Sequence, residues 1–154
     1  MADSPRGIAA TTHIETTEGP VAMGETPNKG FPVLTRFPDG KLGFRQLIKV
    51  VTVEGVPLVR VVLDSGQSVV VASGHPFLKQ SGEAVPAERL QAGDLLETAF
   101  HYREGYVPEG ATRPIRAIAT AVKAVEPAGA GQVLTGTVRD THKLFLTAGV
   151  LCGE

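Results

Sequence analysis

A run of β-branched residues, Val69-Val70-Val71, stops at a corner of small residues, Ala72-Ser73-Gly74, and the stretch His75-Pro76-Phe77-Leu78 follows at once. β-Branched side chains fit the pleated, half-buried surface of a sheet better than a helix. A buried strand that ends at this corner sets the His75 imidazole at a defined place beside the core. Imidazole titrates near neutrality and can move protons there. The same rhythm of apolar run and turn recurs along the chain. Asp64-Ser65-Gly66 reads as a hairpin turn between 59–63 and 68–72. These features restrict the chain to an all-β fold of short strands.

Composition agrees. The 154 residues suit one compact domain. With 42% hydrophobic but only 5% aromatic residues and no tryptophan, the core must be mostly Val, Leu, Ile and Ala. Eighteen glycines and eleven prolines favour many turns over long helices. Fifteen basic and sixteen acidic residues nearly cancel, which leaves no basic face for nucleic acid. No apolar run is long enough to span a bilayer, so no membrane partner is expected. Cys152 is the single cysteine, so an internal disulfide is impossible and a cytoplasmic setting is expected.

Residues 1–6 read as a leader rather than a signal peptide. Residues 8–23 read as strand, turn and strand, with Glu18-Gly19-Pro20 as the turn, and 31–36 as a further strand. Gly55-Val56-Pro57 is expected to break the β-branched run at 47–53 from the strand at 58–63, and 126–131 to separate strands at 115–125 and 132–138. Residues 86–90 read as one helical turn with proline at its start. Residues 99–114 read as an exposed loop, and Asp140-Thr141-His142 as a corner before the last strands at 144–146 and 150–151. A faint internal echo relates 59–74 to 133–149, each as strand, corner, strand and small-residue turn.

Three patches in order carry a family resemblance. Ile8-Ala9-Ala10-Thr11-Thr12-His13-Ile14 with the turn and strand after it resembles the opening of an intein, where a nucleophile is followed by T-x-I. Residues 59–96, with His75 and the later Gly93-Asp94-Leu95-Leu96, resemble the middle of a Hint domain, the self-cleaving module of inteins and hedgehog proteins. Residues 133–154 are similar to the closing stretches V-Y-D-L-T-V-x-x-x-H-N-F and G-I-L-V-H-N. The resemblance implies an all-β horseshoe with pseudo-two-fold symmetry over residues 7–154, preceded by leader or extein-like residues 1–6. It implies protein splicing or autoproteolytic cleavage in cis, with the flanking host polypeptide as partner, no cofactor, no metal and a monomeric state. The 99–114 loop lies where larger inteins carry a homing endonuclease.

That chemistry uses a nucleophile at the first position, a histidine that protonates the scissile amide, and a C-terminal Asn that cyclises. By resemblance Gly7 stands at the nucleophile position and has no side chain. His75 matches the T-x-x-H histidine and would protonate the amide after Arg6; its other reading is a strand-end histidine bonded to backbone. Ala72 replaces the threonine of that motif. Thr135 stands where many inteins carry an aspartate, and a plain strand threonine is its other reading. His142 matches the histidine that assists cyclisation, or is a corner histidine. Gly153 and Glu154 occupy the places of the final His and Asn, and glutamate lacks the carboxamide nitrogen that closes a succinimide. Cys152 reads as a small core residue, and His13 and His101 as surface residues. The expectation is therefore a Hint domain, inactive or impaired at both ends. The alternative is a non-catalytic Hint-like structural or interaction module. Either way, the two ends should meet near His75 and His142.

Overall fold

The computed structural model describes residues 5–27, 30–98, 110 and 119–154. Its strands are β1 (Ile8–Ala9), β2 (His13–Thr16), β3 (Gly19–Ala22), β4 (Pro32–Arg36), β5 (Leu42–Leu63), β6 (Ser68–Ala72), β7 (Pro76–Leu78), β8 (Ala84–Pro86), β9 (Leu95–Glu97), β10 (Ala119–Val138), β11 (Lys143–Phe145) and β12 (Leu151–Gly153). Two short 3-10 turns, Met23–Glu25 and Ala87–Arg89, are the only helical elements among the described residues. The expected exposed loop at 99–114 lies outside the described residues except for Gly110, as do His101 and the expected strand start at 115–118.

An eight-stranded sheet runs β3-β2-β4-β5-β6-β1-β10-β9, and a four-stranded sheet runs β11-β12-β7-β8. Strands β5 and β10 also pair directly along most of their length, as a bent ribbon. One continuous core joins Ile8, Val71 and Leu134 of the large sheet to Phe77 and Leu144 of the small one. The hairpin at 64–66 is present, with β5 and β6 in register from Val62↔Ser68 to Leu58↔Ala72.

The two expected breaks at 55–57 and 126–131 are not turns. β5 and β10 each pass through them as strand. The reason lies in the pairing. Val56 faces Gly131, Pro57 faces Ala130, and Val59 faces Pro127, so the breaker residues of one strand oppose those of the other. Register shifts at Pro127/Ala130 and Gly131/Val133 take up the irregularity. Gly55 at φ 67° and Gly129 at φ 77° supply the left-handed conformation these shifts use. Sequence signals that usually reverse a chain here bend two strands together.

The first strands of the internal echo lie in β5 and β10, which pair antiparallel, whereas its second strands lie in β6 and β11, in different sheets. Beyond the echo the two halves also meet where β7 pairs with β12. Strand β1 is inserted between the halves, with Ile8 paired to both Val71 and Leu134. This insertion positions the site, because it carries Gly7 to the corner that ends β6.

Candidate functional site

The corner after β6 is closed by the His75 N–H donating to the Ala72 carbonyl at 3.0 Å. The His75 carbonyl in turn accepts from the Ala87 N–H at 2.9 Å, so the 3-10 turn braces the histidine from the other side. The entering chain lies along this corner. The Ala72 N–H donates to the Gly7 carbonyl and the Gly74 N–H to the Pro5 carbonyl, both at 2.9 Å. The next bond comes from the side chain: the Gly7 N–H donates to His75 Nδ1 at 3.1 Å. The imidazole therefore holds the nitrogen of the Arg6–Gly7 peptide bond itself.

His75 is fully buried, edge-on to the Phe77 ring with centroids 6.1 Å apart. Burial lowers its pKa from 6.5 to about 3; the Gly153 backbone opposes that shift and the Arg6 charge adds to it. The ring is thus neutral near pH 7. Because Nδ1 accepts from Gly7, its proton sits on Nε2. Nε2 makes no hydrogen bond of proper geometry, although the Gly153 backbone is near enough to favour the charged ring. Both chain ends thus converge on one imidazole, Gly7 at Nδ1 and Gly153 beside the ring.

The remaining positions separate into two groups. Ala72 is buried and packs with Val56 and Val133 in a small apolar cluster at the corner. Thr135, on β10, pairs with Val51 of β5, and the β1–β10 register carried one residue further sets it opposite Gly7. Among the described residues no hydrogen bond links its hydroxyl to His75. His142 and Glu154 form a pair of their own, Nδ1 to Oε1 at 2.9 Å. The other carboxylate oxygen of Glu154 accepts from the Val138 N–H at 2.6 Å. His142 sits in the corner at φ 57° with its side chain 63% exposed. Cys152 is buried against Phe77 across the β7–β12 pair, and burial pushes its thiol pKa up.

Val133, Pro5 and the Val138 N–H belong to this region, and sequence reasoning passed over all three. Two of them contribute main-chain groups, which no residue type announces, and the third is a valine among many. No three of His, Cys, Asp and Glu converge as metal ligands among the described residues. No described helix is long and apolar enough to cross a membrane.

No family model and no curated protein matches this sequence. Solved structures do. The bacterial intein-like domain from Clostridium thermocellum matches with a TM-score of 0.78 at 21% identity, over 98% of this chain and 100% of that one. The chain has the Hint fold of inteins. A mutant of the Ssp DnaB mini-intein variant gives a TM-score of 0.79 at 14% identity, covering 97% of this chain and 98% of that chain. The DnaB intein from Synechocystis gives 0.73 at 14% identity over the same shares. Matches that span both chains end to end show a Hint fold of minimal size, the architecture expected from the three sequence patches.

Proposed function

We propose that this chain is an intein-like Hint module that no longer excises itself and remains a continuous part of its host polypeptide, with the flanking segments as its partners in cis. The observation that carries this reading is the bond from the Gly7 N–H to His75 Nδ1. A histidine that is to expel an amide must present a proton to the amide nitrogen. Here the nitrogen facing the amide is an acceptor on a ring kept neutral by burial. Attack on the Arg6 carbonyl would need a hydroxyl or thiol on residue 7, and glycine offers neither.

The other end supports the same reading. Ring closure there needs a carboxamide nitrogen. Glu154 instead carries a carboxylate engaged with the Val138 N–H and His142. Without reaction at either end, Pro5 and Gly7 remain bonded along the corner like an added strand.

The test is the chain fused between two reporter proteins, followed by intact mass between pH 5 and pH 8 over a day at roughly neutral salt. A single full-length mass is expected throughout. A ligated reporter pair would overturn the reading. Release of the upstream reporter alone would overturn it in favour of one-ended cleavage.

A further inference from the structure

Gly7 and Gly153, the two residues that close on His75, are glycines in crowded places. A Cβ built on Gly7 would lie 2.7 Å from Val133 Cγ2, 2.8 Å from Val133 Cβ and 3.3 Å from the Leu134 carbonyl oxygen. Gly7 also has φ 134°, a conformation L side chains rarely adopt. A Cβ on Gly153 would lie 2.7 Å from Pro76 Cγ. Gly153 is not among the glycines of positive φ, so its constraint is one of space alone. Neither neighbour can step aside cheaply. Val133 is buried between Val56 and Ala72, and Pro76 is a ring fixed in the β7–β8 pair.

We infer that Val133 and Pro76 are the residues that determine what can stand at the two junctions, admitting glycine only. This rests on the reading of residues 7 and 153 as junction positions. It extends that reading, because the side chains missing there are excluded by neighbours and not merely absent. The Cβ of any residue that restores a nucleophile at position 7 meets Val133, and that of a histidine at 153 meets Pro76.

Two double-mutant cycles read out by thermal midpoint test this, with Gly40→Ala as reference. Gly40 has φ 89° with nothing within 4 Å of a Cβ, so it isolates the conformational cost from the steric one. Gly7→Ala is expected to lower the midpoint more than Gly40→Ala does. Val133→Ala, which removes Cγ1 and Cγ2 and leaves Cβ, should recover part of that loss, and Val133→Gly, which removes Cβ as well, more of it. Pro76→Ala should likewise recover the loss from Gly153→Ala. Losses that simply add in both cycles would overturn the inference. If Gly7→Ala does not fold and Val133→Gly fails to rescue it, the Gly153–Pro76 cycle decides.

A second readout follows the bond rather than the fold. The through-hydrogen-bond NMR coupling between the residue-7 amide and His75 Nδ1 should vanish in Gly7→Ala and return when Val133→Gly is added. Its persistence in Gly7→Ala alone would count against exclusion by Val133. These readouts are independent of cleavage. A fusion that processes itself would sink the functional reading and leave the steric assignment standing, and additive cycles would do the reverse.

Discussion

A neutral imidazole buried between two stretches of main chain ties the folding of this molecule to pH. In the unfolded chain His75 takes up a proton near pH 6.5, and in the fold only at about 3. Over that interval the unfolded state binds more protons. The stability this residue supports is complete above pH 6.5 and is lost progressively as pH falls through the interval. Urea unfolding of the wild type and His75→Asn at pH 7.5, 6 and 5 should show it. Asparagine retains an acceptor for the Gly7 N–H but does not titrate. The difference in stability between the two proteins should therefore narrow on acidification, since carboxylate titration is common to both. A constant difference would mean that His75 is accessible to protons in the fold. The position of this histidine was legible from the strand and corner before it. Its partner was not, because a main-chain N–H sixty-eight residues away leaves no mark in the sequence.

The long ribbon of β5 and β10 shows where local reading of elements runs out. Gly55-Val56-Pro57 carries the residues of a turn, and in isolation would make one. It stays strand because β10 presents its own irregular stretch at the same level, so each bulge finds its bonds across the ribbon. Pairing over so long a sequence separation is invisible to a local pattern. The hairpin at 64–66, where turn and partners are neighbours, was legible for the converse reason. The bulges make a prediction of opposite signs. Gly55 and Gly129 have positive φ and open space around a Cβ, so Gly55→Ala and Gly129→Ala should each cost about 1 kcal/mol through backbone conformation alone. Lys49, in the same ribbon, holds φ 55° with a full side chain. Lys49→Gly should stabilise by roughly 0.5 kcal/mol, relief of the left-handed strain outweighing the added freedom of glycine. Urea midpoints measure all three. Loss of stability in Lys49→Gly would show that its side chain contributes more than its backbone costs.

At the scale of the molecule, the fold returns both ends of the chain to one point. Gly7 bonds His75 from one side and the Gly153 backbone approaches it from the other. Glu154 then fastens the last residue to the Val138 N–H and His142. The large and small sheets share one core beneath this point, so the closure does not depend on a peptide bond between the ends. Ends that lie together in this way let a fold be rejoined there without disturbing its core. The order of its strands can also be cut elsewhere. A circular permutant joining Glu154 to Pro5 through about four residues, which reach about 13 Å when extended, and opened between Asp39 and Gly40 tests this. That turn is exposed and links β4 to β5. Opening it removes the Gly40 N–H bond to the Phe37 carbonyl and the local Asp39–Lys41 bond, and leaves the pairing of the two strands in place. The permutant should fold cooperatively, with a thermal midpoint a few degrees below the parent and the same position-7 amide signal. A lengthened linker should gain nothing further, because the ends already lie together. Failure to fold with the short linker, corrected by a long one, would mean that the ends stand apart in solution and that His75 does not hold both.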